Sequence, residues 1–234
     1  LRKKSQKVVA IVATDYAGYP CNWKRLKEIA SKYKLTLIND NCHSLGASFN
    51  NNKKYAAKYA DISTHSYHPV KNITTGEGGA ILTNNKKIDE AVKILRSHGV
   101  VKDPKLMRSN HGPWYYEMQK LGFNYRISDI QCALGISQLK KINKFIQKRK
   151  KIAKIYDKAF SNDYRFIVPK VEKNYEHSYH LYPLQINFNL LKISKREFFN
   201  KMKKKNINLQ VHYIPIHLQP YYKKNYGFKA GDFP

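Results

Sequence analysis

Acidic residues are scarce in this chain: 16 Asp and Glu stand against 44 Lys and Arg, a formal charge of +28 over 234 residues. Such an excess attracts polyphosphates by counterion release whatever the fold. Arginine is scarce as well, with 8 Arg beside 36 Lys and 20 Asn. Surfaces built to read nucleic acid draw on the planar Arg fork for phosphates and base edges. A Lys and Asn excess is instead what an A/T-rich coding bias spreads over solvated faces. The charge therefore bears on association and solubility and not on fold, and nucleic acid is set aside as a partner. Cysteine is nearly missing: Cys21, Cys42 and Cys132 form no C-x-x-C pair, which excludes a disulfide framework and fits a reducing compartment. There is no apolar run of bilayer length and no basic-then-apolar leader. The expectation is a soluble, cytoplasmic protein without a membrane partner. The chain starts without Met and stops in a loop-like "GFKAGDFP", so it is expected to be cut at both ends.

What is present is alternation. "KVVAIV" (Lys7 to Val12) is a β-branched run, followed after a "YAGYP" turn by a helical stretch from Trp23 to Lys34. "LTLIN" (Leu35 to Asn39) is a second strand, ending at Asp40. A loop holding Gly and Asn leads to a short strand over Ile62 to Ser66, then to "GAILT" (Gly79 to Thr83) and a helix over Ile88 to His98. This pattern predicts α/β layers with a mixed, mostly parallel sheet, whose ligands collect at the carboxyl ends of the strands. Ile127 to Phe160 turns helical. Beyond it "YRFIV", "HLYPLQI" and "NLQVHY" read as strands around a helix from Lys195 to Lys205. The reading is a large domain over 1–150 and a smaller α+β domain over 151–234.

Four stretches carry candidate chemistry. "NDNCHSLGA" puts Asp40 at a strand end with His43 three residues on; "SYHPVKNITTGEGG" presents Lys71 between a His-Pro-Val step and a glycine turn, five residues after Ser66. "GFNYRISD" sets Asn124 and Arg126 before a helix. Taken singly, each has a plainer reading: a strand-end Asp is often a cap, paired glycines are often a turn, and most lysines are solvated. His68 and Pro69 read as shaping the bend before Lys71, and Glu77 as ordering the glycine turn. His177 with His180, and His212 with His217, lack the Cys or carboxylate company of a metal shell, so no metal is expected.

Together, in this order, "NDNCHSLGA", "STHSYHPVKNITTGEGGAILT" and "LGFNYRISDIQCALGISQL" resemble the DegT/DnrJ/EryC1/StrS family of pyridoxal-phosphate-dependent sugar aminotransferases. The resemblance implies the type I fold of these transferases, like that of aspartate aminotransferase. It implies that Lys71 bonds the cofactor aldehyde, that Asp40 pairs with the pyridine nitrogen, and that His43 lies near the phenolic oxygen. Ser66 would bind the cofactor phosphate, with Asn124 reaching that phosphate from a neighbouring subunit, so that a homodimer shares its sites. "RSHGVVKDPKLM", "GPWYYEMQKLG" and "VHYIPIHLQPYY" resemble the branch that aminates a UDP-4-keto-6-deoxy amino sugar toward pseudaminic acid, with glutamate as the expected donor. Relatives carry, ahead of the part seen here, a Gly-Thr/Ser turn around the phosphate and an aromatic that stacks on the ring. The alternatives are another nucleotide-sugar aminotransferase of this family, or an inactive fragment that binds anions through its basic surface.

Overall fold

The computed structural model describes residues 8–233; Lys7, the first residue of the expected N-terminal strand, lies outside them. The chain divides into two compact units, one running to Ala159 and taking back Pro169–Tyr182, the other formed by Phe160–Val168 and the chain from Pro183 on.

The first unit is organised on a four-stranded sheet in the order β1 (Ala10–Thr14), β2 (Thr36–Asp40), β3 (Ile62–Ser66), β4 (Gly79–Leu82). The pairs β1–β2 and β2–β3 are parallel and β3–β4 is antiparallel, the mixed, mostly parallel sheet expected from the alternation. Helix α1 (Trp23–Tyr33) connects the first two strands: the Asn22 side chain caps the Arg25 N–H, and Lys34 ends the helix in the left-handed region at φ 54°. It buries Trp23 and Ala30 against Leu37, Phe49 and Tyr55, the helical spacing of an amphipathic face. Tyr55 belongs to α2 (Tyr55–Tyr59), a short helix within what reads in sequence as loop.

After β4, α3 (Lys86–Leu95) begins on an Asn85 cap and stops three residues before the expected end; His98 and Gly99 both have positive φ, which no helix continues through. Strands β5 (Val100–Val101) and β6 (Glu117–Met118) make a small antiparallel pair. The helical stretch expected from Ile127 is two helices, α4 (Asp129–Leu139) and α5 (Ile142–Phe160). The residue-150 boundary expected from the sequence falls inside α5. The returning segment lies across Gly18: Ser178 N–H donates to the Gly18 carbonyl at 2.9 Å and Leu181 N–H to that of Ala17 at 3.1 Å. Gly18 has φ +99°, and a Cβ there would stand 2.4 Å from Ser178 Oγ; the turn in "YAGYP" admits only glycine on both counts.

In the second unit, β7 (Phe166–Ile167) pairs antiparallel with β8 (Gln185–Ile186), accompanied by α6 (Phe188–Leu191), α7 (Lys195–Lys204) and α8 (Pro220–Tyr226). "YRFIV" and "HLYPLQI" thus supply two paired residues each, and "NLQVHY", expected as a strand, is irregular. Its β-branched and aromatic residues carry the propensity, but among the described residues no neighbouring strand completes a ladder, and pairing is what stabilises a strand. No described helix is long and apolar enough to cross a membrane.

Candidate active site

The sheet register sets Thr14, Asp40 and Thr64 side by side at the carboxyl ends of the three parallel strands. Asp40 accepts the Cys42 N–H at 3.1 Å on Oδ1 and the Thr14 hydroxyl at 3.3 Å on Oδ2. A carboxylate has about four lone-pair sites, so this half-buried group keeps capacity for a further donor.

Lys71 lies on the loop between β3 and β4. Tyr67 N–H donates to the Gly78 carbonyl at 2.8 Å, Thr75 N–H to that of Tyr67 at 3.0 Å, and Lys71 N–H to that of His68 at 3.0 Å. Thr75 Oγ1 donates to the Glu77 carbonyl at 2.7 Å, and a Cβ on Gly79 would fall 2.6 Å from the His65 carbonyl oxygen. Helix α4 backs this turn, since Gln131 Nε2 donates to the Glu77 carbonyl at 2.9 Å. The convergence registers on one thiol. Cys42 is pushed up to about 11 by burial first and by Asp40 next, while a hydrogen bond with Thr64 and the charge of Lys71 act in the opposite sense. Asp40 and Lys71 thus both act on the Cys42 thiol.

Two polar atoms on and after β3 are buried with no hydrogen-bond partner among the described residues: Nδ1 of His65 on β3 and Oδ1 of Asn72. Asn72 follows Lys71 in the chain and donates through Nδ2 to the Leu45 carbonyl at 2.9 Å, tying the lysine loop to the loop after Asp40. Burial holds His65 below the usual imidazole range, partly opposed by Asp40. An orphaned buried acceptor is costly, and that of Asn72, next to Lys71 in the chain, fits a polar ligand, while His65 lies on the Ser63 and Asn39 face of the sheet.

Of the other expected residues, Ser66 ends β3 and accepts the His68 N–H at 3.4 Å, within the loop that presents Lys71. His43 is buried in the loop after β2; its Nδ1 accepts the Ala17 N–H at 3.2 Å, and its ring stands 4.4 Å from that of His180. Asn124 makes none of these contacts. It is exposed, and its backbone bridges to Ser97 beyond α3. Exposed Leu121, Phe123 and Tyr125 surround it, the last two rings stacked 4.8 Å apart. Arg126 is exposed on the same segment, and Glu77 comes within 3.8 Å of His68. The sequence reading passed over Thr14, Thr64, Asn72 and His65; only their places at strand ends and beside Lys71 single them out.

The profile of the DegT/DnrJ/EryC1/StrS aminotransferase family matches residues 3–234. The chain belongs to this family. It is 43% identical over 98% of its length to an uncharacterized protein of Methanocaldococcus jannaschii, of which it covers 59%. It is 40% identical over 97% of its length to the UDP-4-amino-4,6-dideoxy-N-acetyl-beta-L-altrosamine transaminase of Campylobacter jejuni, of which it covers 57%. Among solved structures it resembles Helicobacter pylori PseC, an aminotransferase involved in the biosynthesis of pseudoaminic acid, with a TM-score of 0.85 and 33% identity over 94% of the chain and 57% of that protein. The chain thus spans a little over half the length of these relatives. Aminotransferases of this family depend on pyridoxal phosphate. The described residues fit it: a strand-end carboxylate with free acceptor capacity, a lysine whose charge reaches the Cys42 thiol beside that carboxylate, and, next to the lysine in the chain, the buried Asn72 Oδ1 with no hydrogen-bond partner among the described residues.

Proposed function

We propose that the protein is a pyridoxal-phosphate-dependent aminotransferase that moves an amino group from glutamate to the C4 ketone of a UDP-linked 4-keto-6-deoxy-N-acetylhexosamine, in a pseudaminic-acid type of pathway. The observation that carries the reading is that Cys42, whose N–H is held by Asp40, also lies within reach of the charge of Lys71. The substrate class is supported by the 40% identity to the Campylobacter transaminase and the likeness to PseC.

Lys71 would hold the cofactor through its aldehyde, a role open only to an uncharged amine, Asp40 would pair with its ring nitrogen, and Ser66 would hold its phosphate. The cofactor would supply the electron sink that makes the donor Cα–H acidic. The Lys71 amine would take the proton from glutamate Cα as general base and, in the second half-reaction, return one to C4 of the sugar as general acid. Asn124 serves the partner's site in a homodimer. Its exposed surroundings of Leu121, Phe123 and Tyr125 support this, because apolar side chains gathered around a polar one mark an interaction surface.

The test is to mix the protein with pyridoxal phosphate, reduce with borohydride and map the peptides. The pyridoxyl mass is expected on Lys71, and Lys71→Ala should abolish both labelling and glutamate-dependent amination of a panel of 4-keto nucleotide sugars. Undiminished amination by Lys71→Ala would overturn the assignment. Salt-sensitive retention of RNA without any labelling would favour an anion-binding module instead.

A further inference from the structure

Asp15, one residue beyond β1, is fully buried with no cation among the described residues paired to it, yet its carboxylate takes six donors. Oδ1 accepts Cys21 N–H at 2.7 Å and Trp23 Nε1–H at 2.9 Å. Oδ2 accepts Tyr55 OH at 2.7 Å, Asn39 Nδ2 at 2.9 Å, Ser44 Oγ at 3.0 Å and Asn41 Nδ2 at 3.1 Å. An acid buried away from opposite charge is costly, and is tolerated when hydrogen bonds replace its hydration. The sheet already has its backbone ladder and an apolar core, so the six contacts ask for a reason.

Their distribution supplies one. Asn39 and Asn41 are the two chain neighbours of Asp40, and Asp15 holds both carboxamides from one side. Its own N–H donates to the Asp40 carbonyl at 3.1 Å. Asp40 is thus the middle residue of a triplet whose flanks and backbone are all tied to Asp15. The next residues of the same loop do likewise for His43: Ala17 N–H donates to His43 Nδ1, and Ser44, the following residue, donates to Asp15. Ala17 accepts a positive φ of 60° within this arrangement, a backbone state that surrounding contacts must over-determine.

We propose that Asp15 is a positioning residue of the active site. It fixes the direction in which Asp40 leaves the end of β2, and secondarily the turn carrying His43, by gripping Asn39, Asn41 and Ser44. The proposal rests on the reading of Asp40 as the partner of the cofactor's ring nitrogen. A side chain that must meet one ring atom needs its own supports locked, and a saturated carboxylate is a rigid anchor. Asp15→Asn keeps the volume but turns an amide N–H toward existing donors, so the triplet loses its grip without a cavity being opened.

The experiment titrates the protein, Asp15→Asn and Trp23→Phe with pyridoxal phosphate, following protein fluorescence for affinity and the visible absorbance of the bound cofactor across pH. Trp23→Phe removes a donor from Oδ1, away from the Asp40 triplet, and costs core packing, so it controls for stability. Asp15→Asn is expected to weaken cofactor binding on the order of tenfold, the scale at which loss of an outer-shell partner loosens a bound group, and to shift the pH dependence of the absorbance. Trp23→Phe should lower the melting temperature and leave both unchanged. If Asp15→Asn does not fold, Asn41→Ser, which cuts one arm of the same grip, is read in its place with the same expectation. Unchanged affinity and spectrum in the Asp15 or Asn41 variant overturn the positioning role alone; absence of cofactor binding by the unaltered protein overturns the reading of Asp40 and the role with it.

Discussion

His177 shows how far burial moves a single group. It lies on the segment that returns to the first unit, with Nδ1 accepting the Tyr179 N–H at 2.9 Å and its ring stacked on Tyr179 at 4.0 Å. Burial first, and then the charge of Lys150, lower it from 6.5 to about 4. Between those two values the unfolded chain binds a proton that the folded one refuses, so stability rises with pH through that window and is lost as pH falls through it. Burial lowers His65 in the same sense. Urea unfolding at a series of pH values should show a midpoint falling from about pH 6.5 toward about pH 4. His177→Asn, which offers an amide oxygen to Tyr179 but cannot titrate, should flatten part of that slope; an unaltered slope would rule His177 out as a source.

At the scale of elements, α4 couples local sequence to the site. Ser128 and Gln131 form a capping box, with Ser128 N–H donating to Gln131 Oε1 at 2.9 Å. The other end of the Gln131 amide holds the Glu77 carbonyl in the lysine loop. One side chain thus starts the helix and steadies the loop that presents Lys71. Ser128→Ala should cost about 1 kcal/mol of stability in denaturant titration, the usual loss for a cap. Gln131→Ala should in addition raise hydrogen exchange of the amides of residues 76–79, which Ser128→Ala should leave alone. Equal exchange in the two variants would mean that Gln131 acts through the helix only. Gly135 of α4 answers to the same packing, for a Cβ there would stand 2.9 Å from Thr75 Cγ2 in the loop.

For the molecule as a whole, the apolar surface of α4 matters most. Ile130 is 84% exposed, Ile136 59% and Leu139 51%, on a helix that buries none of its residues in this chain. A helix apolar on most sides is normally a buried one, and Leu121 and Tyr125, 86% and 72% exposed, extend the patch to Asn124. In the proposed homodimer a second copy covers this surface. Ile130→Lys should convert the dimer to a monomer in light scattering, with little effect on the far-UV circular dichroism. Mixing Lys71→Ala with Asn124→Ala should restore activity that neither variant shows alone, because a mixed dimer keeps one intact site when the two residues come from different subunits. No restoration would place Asn124 outside the partner's site.

Alternation of β-branched runs and amphipathic stretches was enough to read the layered sheet, the limits of β3 and the start of α1, since these follow from backbone propensity and caps that act within a few residues. The order of the motifs is what proposes Lys71 and Asp40. Non-local contacts answered for the rest. Residues 169–182 join the first unit through Gly18, and α2 forms where Tyr55 meets the core and Asp15. "NLQVHY" stayed irregular for want of a strand to pair with. Asp15 is not among the residues singled out from the sequence; its six donors come from positions as far as 40 residues away, and no local pattern records what the fold gathers around a buried charge.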